Sequence, residues 1–259
     1  MRNPVNADYQ CPFINSKCVK RSQRIAGPYP VCSLYKWVGR GKENSPGPLI
    51  CVCPKRFFEA DIQDDIIKHC WPWQPPSRPV VAYEVKMQKI GMVDFVIADL
   101  SPNSREVRNF VSVELQAVDI TGSVEKAYQA ILNSKMLMKK PQYGFNYANV
   151  YKRYMTQLIA KGYFHHHWKS KIVAVLQEET YEDIRRRIEF SETSLSEANI
   201  VFALYRFEDA PSKGAHHKRL VFSRAVGTQH SNLMMGIMYR TPPSRDEFCA
   251  KILAQINKG

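Results

Sequence analysis

Between residues 80 and 123 apolar and polar positions alternate, and the alternation breaks twice. The breaks fall at Ile90-Gly91 and at Ser101-Pro102-Asn103-Ser104, where Gly, Pro and Asn suit tight turns. The pattern predicts three antiparallel strands, roughly 80–88, 92–100 and 107–118. Side chains two positions apart on a strand share a face. Val111, Val113, Leu115 and Ala117 therefore form one apolar face of the third strand, and Ser112, Glu114 and Gln116 point the other way. On the second strand Val93, Phe95 and Ile97 are the apolar set, and Asp94 opposes them.

Further along, the period changes. From Ser123, a fitting N-cap, to about residue 140 the residues Val124, Ala127, Tyr128, Ile131 and Met138 recur at helical spacing. A second helix is expected over 149–162, with Tyr151, Tyr154, Met155, Leu158 and Ile159 inward and Gly162 as its stop. The run His165-His166-His167 then reads as a turn or loop. Residues 171–177 hold the continuous apolar run Ile172 to Leu176, which fits a strand buried on both faces. A basic helix at 180–190, strands at 199–207 and 220–226, and a helix from about 245 to 257 complete the chain. The polar loop 211–219, with Lys213, His216, His217, Lys218 and Arg219, reads as a face for DNA or as a solvated loop. Strands and helices in this order predict an α/β fold, a mixed sheet flanked by helices, over residues 76–259.

Residues 1–75 follow no such periodicity, and they hold six of the seven cysteines. A segment with so little apolar patterning lacks a strong core, and bound metal would supply cohesion. Four thiolates in tetrahedral array suit Zn or Fe. Cys11, Cys18, Cys32 and Cys53 are the favoured set, and Cys51 is a fifth candidate on the same face of a short strand as Cys53. Cys70 and Cys249 read as buried thiols. The proline-rich stretch 71–79 separates this small module from the main domain, and its Trp71 and Trp73 are placed to pack the module against that domain.

Charge narrows the partner. Lys and Arg number 37 against 24 Asp and Glu, a formal net charge of +13, which favours a polyanion, most simply nucleic acid. No apolar run is long enough to span a bilayer, and the first residues lack the apolar core of a signal peptide. The expected setting is cytoplasmic and reducing, where cysteines serve metals rather than disulfides. The chain has no GxxxxGK phosphate loop and no GxSxG elbow.

The chemistry converges on the alternating stretch. Asp94 and Glu114, with the Leu115 carbonyl beside them, make an oxygen donor set for a hard divalent cation such as Mg²⁺. Such an ion polarises a phosphoryl oxygen and lowers the pKa of bound water. Glu84 adds a further carboxylate on the first strand, or pairs with Lys86 at the surface. An Asp on the second strand followed by Glu-x-Gln on the third resembles the PD-(D/E)xK nuclease core, with Gln116 in the place of the lysine. Gln orients water and takes no proton from it. Together CPFINSKC, PVCS, ICVCPKRFF and VDFVIAD…VSVELQAVDITGS resemble the NotI-type restriction endonucleases, over residues 11 to about 125. That resemblance implies a four-cysteine iron-binding module ahead of a nuclease domain, and cleavage of double-stranded DNA at a palindrome by a homodimer. It implies catalytic roles for Asp94, Glu114 and Gln116. Two other readings fit the same residues: a DNA-binding regulator without cleavage, and a repair nuclease that acts on DNA structure.

Overall fold

A computed structural model of the chain describes residues 5–22, 25, 27–39, 45–135, 141–210 and 217–257. The three strands expected from alternation form as β3 (Pro79–Met87), β4 (Gly91–Leu100) and β5 (Val107–Gln116). They pair antiparallel and occupy one half of a six-stranded sheet of order β10-β9-β8-β5-β4-β3. β8 (Lys171–Gln177) lies parallel to β5, and β9 (Ile200–Asp209) lies parallel to β8. β10 (Lys218–Thr228) closes the far edge, antiparallel to β9.

Both faces of the sheet are covered, which is why β8 has no exposed residue and reads as unbroken apolar sequence. One face carries Ile172, Ala174, Leu176 and Phe202 against Tyr154, Met155 and Leu158 of the helical segment 147–167 and Tyr181 and Ile184 of α5 (Glu178–Arg187). That segment opens with α3 (Tyr147–Asn149), passes through a π turn (Val150–Tyr154) and continues as α4 (Met155–His167). The other face, with Phe95, Val111, Val113, Val173 and Ala203, is covered by Phe57, Ile62, Ile66 and Cys70. These belong to a 3-10 turn (Pro54–Glu59) and α1 (Ile62–His69), inside the cysteine-rich segment. Trp71 and Trp73 meet edge to face at 5.3 Å and extend the same layer. α6 (His230–Met238) and α7 (Arg245–Ile256) follow the last strand.

The rest of the cysteine-rich segment sits at the end of the sheet where β5 and β8 finish. β1 (Ser33–Val38) and β2 (Ser45–Cys51) pair antiparallel there. Gln177, buried at the end of β8, fastens them: its Oε1 accepts from the Cys51 N–H at 2.8 Å and its Nε2 donates to the Leu49 carbonyl at 2.7 Å. The Val118 N–H donates to the Cys51 carbonyl at 3.1 Å. A short hairpin of β6 (Ile120–Gly122) and β7 (Tyr143–Phe145) flanks α2 (Glu125–Leu132).

Several local expectations fail for identifiable reasons. Gly162 does not stop a helix; it lies within α4, where a Cβ would come 2.6 Å from Ile200 Cδ1. Glycine is there for close packing on β9, and the helix runs on through His165-His166-His167, which are its last turn and not a loop. α2 ends at Leu132, and Ile131 is exposed rather than inward. Cys249 is partly exposed, while Cys70 is buried as expected. Met138, Lys213 and His216 lie outside the described residues.

Candidate active site

The β4–β5 ladder ends at the pair Phe95–Val113. One step further the same register sets Asp94 opposite Glu114, and there the strands part. Asp94 Oδ2 accepts from the Leu115 N–H at 2.7 Å. The N–H and C=O of a strand residue point to the same edge, so the Leu115 carbonyl lies on the Asp94 side. Burial pushes the Glu114 carboxyl up, Lys161 pulls it down, and Asp94 adds to the upward shift. The two carboxylates therefore share one electrostatic environment at the open end of the sheet.

A residue from outside the alternating stretch completes this environment. Lys161, on α4 and 3% exposed, donates to Glu114 Oε1 and, at 2.6 Å, to the Met92 carbonyl. One turn on, buried His165 holds the same helix to the same strand. Burial pushes its pKa down to about 4, so it is neutral at pH 7. Its Nδ1 lies 2.8 Å from the Lys161 carbonyl, which can only accept, so the proton is on Nδ1 and Nε2 accepts from Ser112 Oγ at 2.9 Å. Lys161 and His165 are four apart on a helix, and Glu114 and Ser112 two apart on a strand. The rises, about 6 Å and about 6.8 Å, match, so both rungs form together. Tyr154 is fully buried on the same side. Burial and the charges of Glu114 and Asp94 push its pKa well up, and its hydroxyl has no hydrogen-bond partner among the described residues.

Gln116 closes β5, half-buried, with its amide donating to the Ala117 carbonyl. Glu84 sits across from Asp94 in the β3–β4 register, between the pairs Tyr83–Phe95 and Val85–Val93. Its φ of +53° takes it out of the ladder, and its exposed side chain makes no ion pair with Lys86 or any other described residue.

The donor chemistry fits Mg²⁺. A magnesium site takes one or two carboxylates and leaves places for water and substrate phosphate. Among the described residues no group of three or more His, Cys, Asp or Glu side chains is gathered to hold an ion. Two carboxylates and a backbone carbonyl satisfy the first requirement without being such a group.

The cysteines fall close together without closing a cage. The nearness of Cys32 and Cys53 draws the Cys53 thiol down and drives the Cys32 thiol up, and burial adds to the rise of Cys32. Burial raises Cys18, and the charges on Cys53 and Cys11 add to it. Lys20 enters this cluster, with its ammonium on the Val31 and Val52 carbonyls at 2.6 and 2.7 Å. Cys51 turns away into the core beside Phe57 and Ile66, and donates to the Cys53 carbonyl at 3.3 Å. The thiols are the right chemistry for a soft metal.

Residues 4–218 match the family of the restriction endonuclease NotI. The chain belongs to the NotI restriction endonuclease family. No curated protein matches it. The family makes it a type II site-specific deoxyribonuclease, a hydrolase that acts on DNA. The regulator and repair-nuclease readings give way to that activity. Restriction endonucleases usually need a divalent metal such as Mg²⁺. Among the described residues no helix is long and apolar enough to cross a membrane.

Two features of the candidate site escaped sequence reasoning: Lys161 and the His165–Ser112 clamp. Their signal was a Lys-x-x-x-His spacing matched to Ser-x-Glu on a strand, and it was hidden by ending the helix at Gly162.

Proposed function

We propose that Asp94, Glu114 and the Leu115 carbonyl hold a catalytic Mg²⁺ and that this chain cuts both strands of a palindromic site as a homodimer. The observation that carries the reading is the Asp94–Glu114 pair at the open end of the β4–β5 ladder, with Lys161 behind it. When bound, the ion supplies Lewis-acid polarisation of the phosphoryl oxygen and a more acidic water. The chain's own residues do the rest. Asp94 is held by the Leu115 N–H, and Glu114 is oriented by Lys161, whose charge opposes the upward push of burial, so that Lys161 acts as a positioning residue. Gln116, at the end of the same strand, orients the attacking water with its side-chain oxygen once its amide leaves the Ala117 carbonyl. Glu84 stands as an outer carboxylate that its exposed position leaves free to reach solvent-held ligands of the site.

In the same reading Cys11, Cys18, Cys32 and Cys53 hold one Fe or Zn, with Cys51 excluded by its burial. Residues 1–75 then form the recognition module and residues 76–259 the nuclease domain. The bonds from Gln177 to Leu49 and Cys51 support this reading, because they hold the cysteine-rich segment at the end of the sheet where Asp94 and Glu114 lie.

Incubation of plasmid DNA with the protein and Mg²⁺, with sequencing of the fragment ends, tests the reading. Discrete fragments with a common end sequence are expected, and none with EDTA. Cleavage that persists with both Asp94→Asn and Glu114→Gln would sink the assignment.

A further inference from the structure

Tyr154, Leu158, Lys161 and His165 are four, three and four residues apart, and Tyr154 has helical backbone angles, so the four fall on one face of α4. His165 meets Ser112 and Lys161 meets Glu114, so the helix runs antiparallel to β5 along that face. Tyr154 lies two turns before Lys161, about 10.5 Å, and therefore on the Gln116 side of Glu114. The chain reaches it through the π turn Val150–Tyr154. Such turns are rare, and they recur at functional sites.

Tyr154 is 5% exposed, and its hydroxyl has no hydrogen-bond partner among the described residues. A buried O–H left unpaired loses its hydration and gains nothing in return. Phenylalanine would fill the same space without that cost. Burial and the negative charges of Glu114 and Asp94 push the pKa of Tyr154 well up, so the hydroxyl keeps its proton. Both charges reach the hydroxyl, and it bonds to neither carboxylate. One bridging water spans a polar gap of this kind.

Two oxygens come near this site during cleavage: a water carried by the divalent ion, and an oxygen of the scissile phosphate. The burial of the hydroxyl favours the water. A single water is small enough to enter between α4 and β5, and a sugar-phosphate backbone is not. A phenol also suits a water, because its oxygen both donates and accepts. We infer that Tyr154 is a positioning residue of the nuclease, its hydroxyl fixing a water of the divalent ion between α4 and the Asp94–Glu114 pair. The inference rests on the Mg²⁺ reading given above and adds the residue that steadies the ion from the buried side. The same hydroxyl then weakens the metal-free fold and strengthens the hold on the ion, so its removal acts on the two with opposite sign.

Tyr154→Phe tests this, because it removes the hydroxyl alone. Tyr147→Phe is the control: Tyr147 is also buried with an unpaired hydroxyl, but the carboxylates that reach it are Asp183 and Glu179. Thermal unfolding of the full chain in EDTA and plasmid cleavage as a function of Mg²⁺ concentration are measured for both. In EDTA Tyr154→Phe should melt no lower than wild type, and up to about 4 °C higher. It should need about tenfold more Mg²⁺ for half-maximal cleavage, the scale of one hydrogen bond, while Tyr147→Phe should need no more than wild type. A Tyr154→Phe protein that melts lower in EDTA would show that the hydroxyl serves the fold, and would overturn the inference. An unchanged Mg²⁺ requirement would overturn it too. A loss confined to the rate at saturating Mg²⁺ would give the hydroxyl to the phosphate and refute the role drawn here. An equal shift in Tyr147→Phe would assign the effect to the helical segment as a whole, with the same consequence. All four outcomes leave the Mg²⁺ reading standing. That reading fails instead if Asp94→Asn and Glu114→Gln keep the wild-type rate and Mg²⁺ requirement.

Discussion

Lys161→Met removes the cation from behind the proposed metal-binding carboxylates, Asp94 and Glu114, and keeps the length of the side chain. Lys161 and Glu114 have side-chain exposures of 3 and 13%, so water cannot replace the lost partner. Removing one member of a buried ion pair costs about 3–5 kcal/mol, because the other charge stays behind. The Met92 carbonyl also loses its donor, and Asp94 remains near Glu114 as a like charge. At 2–4 °C for each kcal/mol, the melting temperature should fall by about 6–20 °C. The loss should depend on pH with a definite sign. Burial already raises Glu114 above its ordinary 4.5, and without Lys161 the rise grows. A carboxyl whose folded pKa is raised favours the folded state when protonated, and that contribution fades as pH climbs through the folded value. The deficit of Lys161→Met should therefore be small near pH 4 and full near about pH 8. Activity should move the other way, rising with pH as Glu114 ionises, from a starting loss of at least about a hundredfold. Adding Glu114→Gln should recover part of the stability, since the buried charge is then gone, and none of the activity. Urea unfolding at both pH values and a plasmid cleavage series measure all of this. A variant that unfolds at the wild-type midpoint near pH 8 would refute the buried pair and the role drawn from it.

Asp94→Asn and Glu114→Gln should each lower cleavage at least about a hundredfold while site-specific binding survives, read by gel shift in Ca²⁺. Purified protein should carry about one Fe or Zn per chain; Cys32→Ser and Cys53→Ser should lose it, and Cys51→Ser and Cys70→Ser should keep it, by elemental analysis. Loss of that metal should expose residues before about 50 to protease and leave α1 protected, because Ile62 and Ile66 belong to the core of the main sheet. Gly162→Ala should destabilise by about 1–3 kcal/mol, since its Cβ would meet Ile200 Cδ1 at 2.6 Å; an unchanged denaturant midpoint would show that α4 can shift away from β9.

What the sequence determined alone is what depends on neighbours in the chain. The bounds of β3, β4 and β5, and the shared face of Ser112, Glu114 and Gln116, follow from a period of two that needs no knowledge of other elements. Asp94 and Glu114 were legible for that reason, because hairpin strands meet in a register set by their turns. The unbroken apolar run of β8 likewise announced a strand covered on both sides. Tertiary structure decided the rest. Lys161 is 47 residues from Glu114, and nothing local to either says that α4 crosses that strand. Gly162 read as a stop because glycine is a poor helix former, but the close approach of Ile200 is a packing demand from another element. Cys51 and Cys53 are equivalent by strand period. They part because the Gln177 tether and the Val118 N–H hold the Cys51 backbone against the sheet, which buries one thiol in the core and leaves the other partly exposed.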